Sequence, residues 1–317
     1  MTVTIMWPSA RSARARTVPG VILAIGEILV EFRRATADGL LTAPGEWAGP
    51  FPSGAPAIFA SVASRLGDEA ALVATVGADA FGEALTARMR RDGVVADALR
   101  VLPDRSTAVA FVAYDDAGGR DFWFSVPDSA AVEVDRAALG LLRPEADWLH
   151  VCGSTLAFGG ATAEAIEATA QHVLRAGGRV SLDPNLRPNA GPRALSRTAE
   201  LARAADVLFP SDGELETLGV TEAELTGRGA LICRTRGRVG TTLIEGGHEP
   251  VDVPAPAEDE VDPTGAGDTF AAAFVTATRA GAEPVAAARA ACALAARSVG
   301  ILGAMELPLD RADLRSS

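Results

Sequence analysis

Lysine is absent from this chain of 317 residues, so all 29 of its basic side chains are arginine. That absence excludes a Walker A phosphate loop, which needs G-x-x-x-x-G-K-[ST], and it excludes a lysine Schiff base. Any phosphate chemistry must rest on backbone amides, arginines and a metal. Cysteine and histidine are scarce, three of each. Cys152, Cys233 and Cys292 lie far apart and form no C-x-x-C pair, so neither a disulfide framework nor a zinc site is indicated, and a reducing, cytoplasmic compartment is expected. Acidic residues outnumber basic ones to a formal charge of −12, a balance that argues against a nucleic-acid backbone as partner. No uncharged apolar run reaches the ~18 residues of a membrane span. Residues 1–20 carry arginines but no apolar core with a small-residue cleavage site, and they are read as a flexible extension.

What the chain does have is 48 % hydrophobic residues, enough for one large domain over 21–317. Apolar runs at 21–25, 70–76, 147–152, 179–183, 206–210, 230–235 and 241–245 read as strands. Helical patterns lie between and after them, at 56–66, 79–91, 161–176, 193–204, 211–218, 268–280 and 284–299. Continuous apolar strands alternating with helices predict an α/β fold, a doubly wound, mostly parallel sheet flanked by helices. Ligands in such folds bind at the carboxyl ends of the strands. Two stretches, about 28–45 and 104–128, break this rhythm. "TAVAFVAY" and "DFWFSV", joined by "DDAGG", read as a hairpin, and together with "ILVEFRR" they predict a small β-sheet lid.

The chemistry points to "VDPTGAGDTFAAAF", residues 261–274. Gly265 and Gly267 let backbone N–H groups approach an anion, and the helix that follows adds its partial positive charge. The two glycines and the helix start thus build a candidate pocket for the negative charge on a phosphoryl group in transfer. Asp268, in the first helical turn, is placed to take a proton from an attacking hydroxyl. G-x-G-D alone also fits a glycine-rich turn capped by an aspartate.

The longer string Asp262 to Phe270, D-P-T-G-A-G-D-T-F, resembles the C-terminal signature of the ribokinase-like (PfkB) carbohydrate kinases. "AIGEILVE" (24–31), "PSGAPAIFASVASRLG" (52–67), "VGADAFGEALTARMRRDGV" (76–94), "SLDPNLRP" (181–188) and "TRGRVGTTLI" (235–244) resemble further family segments in the family's order. The resemblance spans about residues 21–308. It implies a kinase using ATP and Mg²⁺, with a monovalent cation left open as an addition. It implies Asp268 as catalytic base and the backbone N–H groups of Gly265, Ala266 and Gly267 as the anion hole. Asn185, Thr235, Gly237, Gly240, Asp262 and Cys292 would lie on the ATP side. Glu31, Ser53, Gly54, Ile58, Thr107, Phe124, Val126, Asp183, Arg187 and Asp268 would lie on the substrate side, and Glu214 would reach the metal through water. A homodimer clasped through the lid is also implied.

Departures cluster on the sugar side. The family's sugar-binding pair of glycines reads Ser53-Gly54, and its asparagine is Ile58, which fits ring contact or plain core packing equally well. Glu31 stands for the usual aspartate. The family's N-x-x-E reads Ser211-Asp212-Gly213-Glu214, which is also the pattern of a helix capping box. Ketodeoxygluconate kinases place a Tyr-Arg pair where this chain has Ser125-Val126, so a neutral sugar, a ketose of the fructose or tagatose type, is expected. Arg33, Arg34 and Arg105 are the candidates for a compensating arginine. The alternatives are a ketodeoxygluconate or nucleoside kinase of the same fold, and a non-catalytic sugar or nucleotide sensor. A dinucleotide oxidoreductase would need G-x-G-x-x-G after the first strand, which "GEILVE" lacks.

Overall fold

The computed structural model describes residues 20–36, 41–115, 119–134, 146–187 and 190–315. The expected N-terminal extension, apart from Gly20, and the centre of the "DDAGG" turn lie outside these residues. Strand β1 (Val21–Ile25) shows how the layers arise. Ile22 and Ala24 join one hydrophobic cluster, and Leu23 and Ile25 join another. A strand apolar on both faces leaves helices to cover each side. The neighbouring β4 (Ala70–Gly77) is buried along its whole length.

The main sheet has nine strands. From β4 it continues to β5 (Leu99–Leu102) at one edge. In the other direction β1 is followed by β8 (Ala146–Cys152), β9 (Arg179–Asp183), β10 (Val207–Leu208), β11 (Leu231–Thr235), β12 (Gly240–Ile244) and β13 (Val251–Pro254). Every pairing from β5 to β11 is parallel, whereas β11–β12 and β12–β13 are antiparallel.

Helices α1 (Ala55–Arg65), α2 (Ala80–Arg91), α8 (Ala266–Arg279) and α9 (Pro284–Val299) supply the first cluster. Helices α4 (Gly160–Arg175) and α5 (Pro192–Ala204) supply the second. Prolines in the first turns of α1, α5 and α9 fit helix starts, where a missing N–H costs nothing. The doubly wound α/β fold expected from the alternation is the fold the chain adopts.

A second sheet has the order β3-β2-β6-β7, from β2 (Leu29–Arg34), β3 (Trp47–Ser53), β6 (Ala108–Tyr114) and β7 (Arg120–Phe124). β2 and β6 pair in parallel, and the outer pairs are antiparallel. Three strands, β3, β5 and β13, have no counterpart among the expected ones. All are edge strands, where pairing on one side suffices and proline is tolerated, which is how "WAGPFPS" comes to be a strand. The short helices α3 (Gly153–Phe158) and α7 (Glu222–Gly227) are additional. The helix expected at 211–218 shrinks to α6 (Glu214–Thr217), because Gly213 adopts a left-handed φ of 81° just before it.

Candidate active site

The carboxyl ends of β1, β9 and β11, the face of the small sheet and the start of α8 enclose a cleft of about 1170 Å³. It is large enough to hold two small ligands side by side. Gly265 is the N-cap of α8, with φ 79°, and a Cβ there would lie 3.0 Å from Ala304 Cβ and 3.2 Å from Ile58 Cδ1. Gly265, Ala266 and Gly267 all line the cleft at the start of the helix, where Ala266 N donates to the Pro263 carbonyl at 3.3 Å.

Asp268 follows in the first turn, buried, with no partner for its Oδ1. Burial raises its pKa to about 7; Arg187 opposes the rise and Glu27 adds to it. A carboxylate poised near neutrality, with an unused acceptor atom beside a helix start, can take a proton from a hydroxyl. Asp183 at the end of β9 is also pushed well up, by burial and then by Asp268 and Glu214. Arg187 is the arginine on this side of the cleft among the described residues, its guanidinium 5.5 Å from the Phe122 ring and 5.7 Å from Phe124.

Where the small sheet borders the cleft, Glu31 of β2 is buried, accepts from Ser53 Oγ at 3.1 Å and leaves Oε1 without a partner. Its pKa is raised to about 7 by burial and by Asp262, with Ser53, Thr264 and, least, Arg33 pulling the other way. Ser53, at the place of a family glycine, therefore anchors Glu31. Gly54 has φ 108° and a Cβ there would meet the Glu27 carbonyl oxygen at 2.6 Å, so this position needs glycine. Ile58 is a buried core residue whose side chain also forms part of the cleft wall, 3.2 Å from where a Cβ on Gly265 would stand.

Asn185 lines the cleft with a left-handed φ of 38°, its N–H donating to Asp183 Oδ1 at 3.0 Å. Such φ values are uncommon outside glycine and are best tolerated by Asn and Asp. At the far end lie Thr235, Gly237, Gly240 and Cys292, with Ala255, Ala295 and Val299 as an apolar floor suited to a flat base. Glu214 accepts from Leu186 N at 2.6 Å and from Ser211 N at 2.7 Å. Half of the capping box is thus present, while the Ser211 hydroxyl pairs with Thr235 Oγ1 instead.

Three residues expected at ligands are placed elsewhere. Thr107 is off the cleft walls, its hydroxyl donating to Asp79 Oδ1 at 2.7 Å and its N–H to Asp79 Oδ2 at 2.8 Å, a clamp on the start of α2. Val126 is buried with Leu29, Ala108, Ala110 and Ala131, where an apolar side chain belongs. Asp262 lies beneath the loop, accepting from Thr264 N at 3.1 Å and from Gly303 N at 3.0 Å, so it braces the segment that leads into α8. None of the compensating arginines reaches the cleft. Arg33 binds the Val261 carbonyl, Arg34 those of Ala43 and Pro44, and Arg105 pairs with Glu133.

Sequence reasoning missed Glu27, which is buried, accepts from Thr155 Oγ1 at 2.6 Å and is held above the usual carboxylate range by burial. It directly follows Gly26 at the carboxyl end of β1, and the rule for ligand sites in such sheets would have found it. Phe122, Phe158 and Arg238 also line the cleft unannounced.

Residues 21–311 match the pfkB family carbohydrate kinase model, and the chain belongs to that family. It is a sugar kinase by family. A fructokinase of Vibrio alginolyticus is 30 % identical over 257 residues, 77 % of this chain and 80 % of that one. The probable fructokinase-3 of Arabidopsis thaliana is 32 % identical over 286 residues, 81 % of this chain and 77 % of that one. Among solved structures, an E. coli protein provisionally assigned as ribokinase II, in complex with ATP and Mg²⁺, superposes with a TM-score of 0.85 at 30 % identity, covering 94 % of this chain and 98 % of that one.

Proposed function

We propose that the chain transfers the γ-phosphoryl group of ATP to a hydroxyl of a neutral ketose of the fructose type. The observation that carries this reading is Asp268, buried with a free acceptor atom in the first turn of the helix whose opening amides face the same cleft. Asp268 takes the hydroxyl proton at Oδ1. The amides of Gly265, Ala266 and Gly267 hold the charge that develops on the transferred group. Glu31, Ser53, Asp183 and Arg187 orient the sugar. Thr235, Gly237, Gly240 and the apolar floor hold the nucleotide, and Gly237 has open space where a Cβ would stand. The small sheet closes over the cleft and keeps water from the phosphate.

Among the described residues no group of three acids or histidines could hold a metal alone. A single cleft-lining carboxylate such as Glu214 fits a Mg²⁺ ion that keeps its waters and is bound mainly through phosphates. When bound, the ion neutralises phosphate charge; a monovalent cation is left open as an addition.

Glu27, Glu31, Asp183 and Asp268 crowd the sugar side against Arg187, and a neutral polyol suits such a wall better than a sugar acid does. The fructokinase relatives point the same way. We place the enzyme in the cytoplasm, a reading supported by three buried, unbridged cysteines. The test is ADP release from Mg-ATP with fructose, tagatose, psicose, ribose, ketodeoxygluconate and adenosine. A ketose should be the best substrate by at least tenfold in kcat/KM. Preference for ketodeoxygluconate or adenosine would contradict the substrate, and silence with every compound would contradict the enzyme.

A further inference from the structure

We infer that Arg33 is a positioning residue for phosphoryl transfer, the catch by which the lid sheet registers on the loop that enters the anion hole. Arg33 sits on β2 of the lid, and its Nη1 donates to the Val261 carbonyl at 2.5 Å and lies 3.7 Å from Asp262 Oδ2. Its guanidinium lies 4.8 Å above the ring of Tyr114, from the adjacent strand β6, and the Tyr114 hydroxyl is 2.9 Å from Thr264 Oγ1. Two neighbouring lid strands therefore grip the same four residues, 261–264, directly before Gly265.

Those four residues have no helix or strand of their own to hold them. Asp262 organises them from within, through its bonds to Thr264 N and Gly303 N. Asp262 is 1 % exposed, and the equally enclosed Glu31 stands on the same lid strand. The Arg33 charge lies within reach of Asp262 and is felt by Glu31, so two enclosed acids lean on one guanidinium. Lifting the lid would remove that guanidinium and leave Asp262 with its backbone donors alone. An exposed ion pair would be worth little, but here one partner is fully enclosed and the arginine also bonds a carbonyl. Closing the lid and fixing the approach to the anion hole are in this way one event. Arg33 lies off the cleft walls, so it acts through residues 261–264 and not on the substrate.

The inference rests on the kinase reading, and its test has one readout that does not. Arg33→Ala should lower kcat about tenfold while the KM for ATP stays within about twofold, because the nucleotide end is untouched. Arg33→Lys keeps charge and one donor and should recover kcat to within about threefold of wild type. Combined with Tyr114→Phe, the loss should be less than additive, since both act on one segment. Hydrogen exchange, read by mass spectrometry without substrates, should speed up about tenfold across 261–267 in Arg33→Ala and stay unchanged in the main sheet. Unchanged exchange at 261–267 would overturn the catch. So would acceleration throughout the molecule, which would make Arg33 a general prop. If wild type phosphorylates no sugar, the kinase reading fails, and the exchange data still decide whether Arg33 holds this loop.

Discussion

Keeping a carboxylate ionised inside the protein costs free energy, and Asp268 carries that cost at the base of the cleft. Its folded pKa, about 7, lies above the ordinary 3.8 because burial disfavours the charge. The native state therefore binds more protons than the unfolded chain between those values, and this residue's contribution to stability falls as pH rises through that window. Asp268→Asn removes the charge, so at pH 8 the variant should be more stable than wild type by roughly 2 kcal/mol in urea unfolding. The gain should vanish below pH about 4, where both side chains are neutral. A gain over wild type that is no larger at pH 8 than at pH 4 would show that Asp268 is not strained. The GAGD motif made this residue legible. Thr107 and Val126 were misplaced for a physical reason: family position does not say where a side chain spends its hydrogen bonds, and Asp79 takes those of Thr107. Glu27 was missed because no motif points at it, although its place after β1 does.

At the scale of elements, the start of α8 is built around space that only glycine leaves open. Gly265 combines a φ of 79° with neighbours 3.0 and 3.2 Å from a would-be Cβ, both from the body of the protein. Gly265→Ala must therefore strain the turn and push Ile58 or Ala304, costing about 1–3 kcal/mol of stability. It should also cut kcat by about tenfold or more through the displaced amides, while nucleotide affinity changes little. A kcat within twofold of wild type would show that the opening amides of α8 do not hold the transferred group. The strands and helices of the main sheet were legible because buried parallel strands write themselves as continuous apolar runs. Edge strands such as β3 and β5 were not, since one-sided pairing demands neither length nor an apolar face. Ser53 was read as a departure from a glycine, and only the fold reveals its bond to Glu31.

At the scale of the whole molecule, the small sheet is the surface through which we propose that two copies of the chain pair. Phe32, Trp47, Phe111 and Trp123 pack ring against ring on it, and Trp123 remains 54 % exposed. An aromatic cluster that crosses all four strands and leaves Trp123 exposed invites cover, and a second copy of the same sheet would supply it. Light scattering at micromolar concentration should give a dimer for wild type and a monomer for Trp123→Asp; a wild-type monomer would remove the dimer. Among the described residues no helix is long and apolar enough to cross a membrane.

The central claim is that Asp268 is the base of a sugar phosphorylation carried out at the start of α8. Its most direct test is the pH dependence of kcat/KM for fructose, measured on wild type and on Asp268→Asn. Wild type should lose activity with an acid limb near pH 7, well above the range of an ordinary aspartate, because the base must be ionised to work. Asp268→Asn should be slower by about 10²-fold or more across the range and bind ATP as before. A variant that turns over near the wild-type rate, with the limb intact, would contradict the account.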